Sequence, residues 1–164
     1  LGWVQLTATG GHPGNDLQHA SVRRWTAPTA MRIAIQSLAK HEPDVADGVR
    51  LQIVSSRHGL LASAKLRAKE VEINVAGLDV QAGDTIDFVV DIIQQLNSDQ
   101  YLWAPVIRQI ADPVAGESAN VEFHPTSTVW DAARDFAGPS QPRLSRWEQL
   151  AQVLLMTNEF AFVD

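Results

Sequence analysis

The feature that most limits how this chain can fold is the period-two alternation in residues 80–110, VQAGDTIDFVVDIIQQLNSDQYLWAPVIRQI. Ile86, Phe88 and Val90 fall on one face of an extended chain, and Thr85, Asp87 and Asp91 fall on the other. A helix of 3.6 residues per turn would scatter these apolar side chains, whereas a strand collects them. Ile86, Phe88 and Val90 are therefore expected to be buried, with Asp87 and Asp91 facing solvent. Ala82-Gly83-Asp84 is turn chemistry ahead of this strand. After a polar loop at Gln94–Gln100, extended character resumes through Tyr101, Trp103, Val106 and Ile107, and Pro105 marks an edge or a bulge there.

The same alternation recurs from the start of the chain. Val4, Leu6 and Ala8 form one apolar row, ended by the loop-forming run Gly10–Asp16. Ala20–Trp25 is a second short strand, and Met31, Ile33 and Ile35 form a third. A polar loop, His41–Gly48, leads to Val49, Leu51 and Ile53. Ser55–Gly59 then turns the chain into Leu60, Ala62, Ala64 and Leu66, which gives a hairpin. Val71, Ile73 and Val75 form a sixth strand. About eight short strands with turn signals between them predict a mainly β fold, an antiparallel β-sandwich of jelly-roll type.

The pattern changes after residue 110. Residues 111–128 keep no period, and Trp130–Phe136 reads as one or two helical turns, with Thr128 and Asp131 spaced as a capping box. Ser145 and Glu148 form a better capping box, ahead of Trp147, Leu150, Ala151 and Leu154 at helical spacing. The expected organisation is a β-sandwich over residues 1–112, an irregular crossing with a short helical turn over 113–143, and a C-terminal α-helix and tail over 144–164 packed on the sandwich.

At 164 residues with 45% hydrophobic and 20% charged side chains, the chain is long enough to bury a core of its own. A formal charge of −6 with one basic doublet, Arg23-Arg24, argues against a nucleic-acid partner. No apolar run is long enough for a membrane span, so no membrane insertion is expected. The absence of cysteine removes disulfides, thiolate metal sites and a cysteine nucleophile. Because the chain opens on Leu1 in a strand-like pattern, it is expected to be part of a longer protein.

No catalytic signature stands out. HExxH, GxSxG and a His pair at i, i+4 are all missing among the five histidines, and Ser56-Arg57-His58 reads as a polar turn and not as part of a triad. The expectation is no catalytic residue, no metal ligand and no cofactor. Asp84, Asp87, Asp91 and Asp99 are the oxygen donors that a calcium ion would want, but Asp84 reads as a turn residue and Asp87 and Asp91 as solvent-facing. A sugar ring stacks its C–H face on an aromatic ring beside polar groups. Asn97, Asp99 and Gln100 beside Tyr101 and Trp103 fit that description. With Arg57 and His58, placed on a turn, they make the candidate ligand-binding set.

Several strings carry a resemblance: DGVRLQIVSSRHGLLAS, QAGDTIDFVVDI, NSDQYLWAPVIR, WDAARDFAGP and LSRWEQLAQVLLMTNEFAFVD, together with the opening LGWVQLTATGGHPGNDLQHASVRRWTAP. In this order they resemble the C-terminal end of the large planctomycete cytochrome c domain proteins. The resemblance implies an exported, extracytoplasmic multidomain parent; haem is not implied for this chain, which has no CxxCH. The GDTIDF strand and the following D…W…P strand look like the galactose-binding-like jelly rolls attached to carbohydrate-active enzymes. The function expected on these grounds is a non-catalytic, carbohydrate-binding-like accessory domain whose partner is a glycan. The alternative is a structural domain docked on other domains of its parent. A groove with an accessible ring beside polar groups favours the first, and a broad apolar patch without a groove favours the second.

Overall fold

The computed structural model of the chain describes residues 4–45, 47–111, 128–137 and 145–155. The expected crossing at 112–127, with Pro113, Gly116 and Pro125, lies outside the described residues, as does the tail beyond 155. What is described is mainly β, arranged as three antiparallel sheets. The strands are β1 (Gln5–Leu6), β2 (Gly10–His12), β3 (Ser21–Thr26), β4 (Met31–Gln36), β5 (Leu38–His41), β6 (Val49–Ser55) and β7 (Gly59–Leu66). They continue with β8 (Lys69–Glu72), β9 (Val75–Val80), β10 (Thr85–Ile92), β11 (Tyr101–Trp103), β12 (Val106–Gln109) and β13 (Val129–Asp131). A helix, α1 (Arg146–Leu155), follows.

One sheet has the order β3-β10-β6-β7, a second β1-β2-β11-β5-β8 and the third β13-β12-β4-β9. The second and third are halves of one bent surface, because β4 runs into β5, β8 into β9 and β11 into β12 with only one or two residues between. The break in the first pair is held by Ser37. Its hydroxyl donates to the Ile73 carbonyl at 2.5 Å and its N–H to Asn74 Oδ1 at 2.9 Å, while Ile73 N–H donates to Ser37 O at 3.0 Å. Pro105, which has no N–H to give a ladder, separates β11 from β12, and its carbonyl accepts from Ala132 N–H at 3.0 Å.

All three sheets feed one apolar cluster. Leu51, Ile53, Ile86, Phe88 and Val90 come from the first sheet, Ala39, Tyr101 and Trp103 from the second, and Ile33, Ile35 and Ile107 from the third. Phe88 meets Trp103 edge to face, with ring centroids 5.4 Å apart. The alternation in β10 thus sets the expected buried face. Its outer face differs from expectation at one end: Asp91 is 4% exposed because Arg50, directly opposite on β6, covers it through a two-pronged ion pair at 2.6 and 2.9 Å. Asp87 is half-buried beneath Arg24, opposite it on β3. Arg32 faces Asp79 across β4 and β9 in the same way. These cross-strand pairs put opposite charges where the sheet brings side chains closest.

The β6–β7 hairpin forms as its pattern predicts, with one shift. Ile53 stands opposite Ala62 but Val54 opposite Leu60, so Leu61 is an extra residue. That bulge reverses the facing of the strand beyond it. Leu60 is consequently exposed, and Leu61, with Ala62 and Ala64, packs on the core.

Two segments differ in kind from expectation. Gly10–His12, read as loop, is a strand between β1 and β11. Its glycines are there for close approach, since a Cβ at Gly10 would collide with the Tyr101 carbonyl. Trp130, read as helical, lies on β13, opposite Ile107 of β12. The turn starts later, at Asp131, whose Oδ1 accepts from the N–H groups of Ala133 at 2.9 Å and Arg134 at 3.1 Å. Asp131 is therefore the cap itself and not the far end of a box begun at Thr128. In α1 the capping position expected at Ser145 immediately precedes the first helical residue. Of its apolar stripe, Trp147 is 79% exposed and Leu150 is 47% exposed, so these two rest in solvent and not on the sheets.

Candidate functional site

A groove of about 700 Å³ runs along the edge strand β3, within the range of small-molecule sites. It lies where β3 faces the free edge of the bent surface. The inward face of β3 brings Arg23 and Trp25 to it, and the outward face brings Val22 and Arg24. Trp130 reaches the groove from β13, and its ring meets Trp25 edge to face with centroids 5.1 Å apart. Both rings are half-buried and packed against the core cluster. They present aromatic surface that the sheets do not fully cover.

Arg23 organises the floor. One terminal nitrogen donates to Thr7 O at 2.7 Å and Ala8 O at 3.2 Å, and the other to Ala132 O at 3.2 Å. Its guanidinium also lies 5.3 Å from the centroid of the Phe136 ring, a cation–π contact. A single side chain thereby joins the β1–β2 connection, β3 and the turn after β13. Burial lowers its pKa somewhat, but an arginine stays charged under these conditions. Carbonyl dipoles and a ring surround this charge, and no carboxylate is paired with it among the described residues.

The rim carries the polar groups. Arg24 is held by Asp87 at 2.7 and 2.8 Å. Asp135 is clamped by Arg134 at 2.6 Å through both oxygens and accepts from Asp131 N–H at 2.9 Å. The Arg134 contact is the main reason its carboxyl is drawn down to about 2. Asp131 contributes a second carboxylate to the rim. A second hollow of about 480 Å³, beside Arg32, Asp79 and Gln109, has no aromatic side chain in its lining.

The residues picked from sequence do not converge on either hollow. Arg57 and His58 sit on the β6–β7 turn, beside the start of β10. Asn97, Asp99 and Gln100 lie beyond the other end of β10, roughly 25 Å away at the rise of an extended strand. Arg57 is ion-paired with Asp84 at 2.6 Å, which lowers the Asp84 pKa, and a ring nitrogen of His58 contacts the Asp79 carbonyl at 3.1 Å. The pair ties the hairpin turn to the Gln81–Asp84 turn. Tyr101 and Trp103 are core residues, 4% and 2% exposed. The Tyr101 hydroxyl is hydrogen-bonded to Ser21 at 2.5 Å and burial pushes its pKa up, so neither ring offers a face to a ligand. Asn97 and Gln100 are exposed, whereas Asp99 is wholly buried.

Trp25 and Trp130 were visible in the sequence only as large aromatics. Their partnership depends on β3 and β13 lying at neighbouring edges of different sheets, 105 residues apart, and no local period encodes that. No helix among the described residues is long and apolar enough to cross a membrane. Compared with protein-family models, with curated proteins and with solved structures, the chain gives no match in any of the three.

Proposed function

We propose that this chain is a jelly-roll sandwich serving as a non-catalytic, carbohydrate-binding-like accessory domain of an exported multidomain protein, with the β3 groove as its glycan site. Strand order supports the jelly roll. Counting each bent strand once, and setting aside the short edge strands β1 and β13, gives eight strands in chain order. They then lie as 1-8-3-6 on the bent surface and 2-7-4-5 on the other sheet, the interleaving that two Greek keys produce. The observation that carries the function is the Trp25–Trp130 pair in an open groove with Arg24, Asp131 and Asp135 at its rim. Sugar rings stack C–H faces on aromatic surface while their hydroxyls bond to charged and polar side chains. The extracytoplasmic setting and the planctomycete-type parent belong to this proposal through the resemblance alone.

A glycan array followed by affinity electrophoresis on the full chain tests it. Val22→Arg fills the groove from an exposed position, and Trp130→Ala removes half of the platform. Both variants are expected to lose retention while keeping the wild-type β-sheet signal. Retention unchanged in both would place the site elsewhere. A second reading, a structural domain docked on its parent, is favoured by the exposure of Trp147 and Leu150 on α1. It predicts no glycan retention, together with capture of neighbouring parent domains that is lost in Trp147→Ala.

A further inference from the structure

Of the four aspartates in and around β10 that offer oxygen ligands, three are taken. Asp84 is bound by Arg57, Asp87 by Arg24 and Asp91 by Arg50. Asp99 has no such partner. It stands at the head of the inward row Asp99, Tyr101 and Trp103, is 0% exposed, and neither of its carboxylate oxygens has a hydrogen-bond partner. Asp47, just ahead of β6, is in the same condition: both of its carboxylate oxygens are buried and unpartnered. The two come from connections at one end of the fold, since Val49 of β6 pairs with Ile92, the last residue of β10. Burial first, and the charge of Asp47 second, push the Asp99 pKa up to about 6.

The surrounding groups do not neutralise this pair. His12 acts on Asp99 by charge only, and its Nδ1 is engaged with the Pro13 carbonyl at 2.7 Å. Arg67 spends a donor on the Asp44 carbonyl. His41, also 0% exposed, closes the site. Its Nδ1 accepts from Ala68 N–H at 3.3 Å, so the neutral ring carries its proton on Nε2, which is buried and has no hydrogen-bond partner. The ring therefore has no lone pair free for a ligand. Two buried carboxylates without a countercharge are costly. One dication balances both.

We propose that Asp47 and Asp99 hold a hard divalent cation, calcium first, that fastens the β5–β6 connection to the β10–β11 connection. The donors are all oxygen, which excludes preference for a soft or imidazole-seeking metal. No group of three His, Asp or Glu side chains suited to a metal occurs among the described residues. The side chains thus supply up to four carboxylate oxygens, and loop carbonyls and water complete the shell, as calcium tolerates and magnesium does not. This site lies apart from the β3 groove and stands whether or not that groove takes a glycan.

The test uses the full chain stripped with a chelator and then titrated with calcium chloride, followed by thermal melting and by terbium luminescence excited through tryptophan. The expected result is a rise of a few degrees in Tm on adding calcium, reversed by chelator. Sensitised terbium emission that calcium displaces is also expected, from an ion close to Tyr101 and Trp103. Asp99→Asn and Asp47→Asn should each abolish the calcium response and melt above the metal-free wild type, because a buried charge is gone. No calcium response and no terbium emission from the wild type would overturn the proposal in favour of a proton shared by the pair. A response surviving both substitutions, or one larger for zinc than for calcium, would overturn it as well. If neither variant folds, wild-type terbium displacement decides the matter.

Discussion

Arg50→Ala offers a sharp test of how the first sheet is held, because the molecule contains its own control. Arg50–Asp91 and Arg24–Asp87 have the same chemistry, the same two-pronged geometry and the same directly opposed register. They differ in burial. The Asp91 side chain is 5% exposed against 18% for Asp87, and Arg50 is 36% exposed against 60% for Arg24. Truncating Arg50 leaves a buried carboxylate with no donor, which costs 3–5 kcal/mol in a fully buried pair. Because a third of Arg50 meets water, that figure is discounted to about 2–3 kcal/mol. At 2–4 °C per kcal/mol for a domain of this size, Tm should fall by about 4–12 °C. Arg24→Ala, on the exposed pair, should leave the melt within replicate scatter. Urea unfolding with Asp91→Ala and the double variant completes a cycle, in which the double variant should be more stable than Arg50→Ala. Equal losses at Arg24 and Arg50 would refute the argument that burial of the carboxylate, and not the ion pair itself, sets the cost.

Two further outcomes follow from other groups. In the metal-free chain Asp99 keeps its proton up to about 6 when folded and releases it near 3.8 when unfolded, so its protonated form favours the folded state. Stability should therefore fall by on the order of 2–3 kcal/mol as pH rises from about 4 through 6, then level off. Urea midpoints across that range check it; Asp99→Asn should flatten the slope, and an unchanged slope in that variant would contradict the assignment. Asp84 and Asp135, whose pKa values are lowered, act in the opposite sense and only below pH 4. Gly10→Ala should cost ~2–3 kcal/mol, because the new methyl group meets the Tyr101 backbone rather than a movable side chain. Amide exchange should show Gly11 and Tyr101 losing protection together, and a wild-type pattern would return residues 10–12 to the status of a loop.

What was legible in the sequence is what period two encodes. Ile86, Phe88 and Val90 are buried, Val49, Leu51 and Ile53 are buried, and the β6–β7 hairpin turns where its turn residues stand. The failures each have a physical source. Gly10-Gly11 has turn composition, yet here the glycines answer to the closeness of another backbone, which only the β2–β11 pairing reveals. Asp91 obeys its face, but an arginine from the neighbouring strand covers it. Asp99 and Gln100 were grouped as neighbours in a binding loop, although the alternation seen in Tyr101 and Trp103 runs back to Asp99 and sends Gln100 the other way. Following the period two residues further would have separated them. The groove was not legible at all, since its two tryptophans meet only through strands from opposite ends of the described chain.

The sheet order also dictates when in synthesis this protein can fold. β10 lies between β3 and β6, and β11 and β12 lie between β2 or β13 and the β5 and β4 strands. Until residue 85 has been made, β3 has no partner, and the pairings open to the chain are β1–β2, β6–β7, β4–β9 and β5–β8. β10 and β11 each arrive after both of their neighbours and must insert between them. Ladders joining such distant segments form slowly, and a nascent chain carrying the edge strands without β10–β12 exposes long unpaired edges. Vectorial release from a ribosome or a translocation pore should therefore yield a holdase-dependent intermediate that completes the native sheets only once Asp131 has emerged.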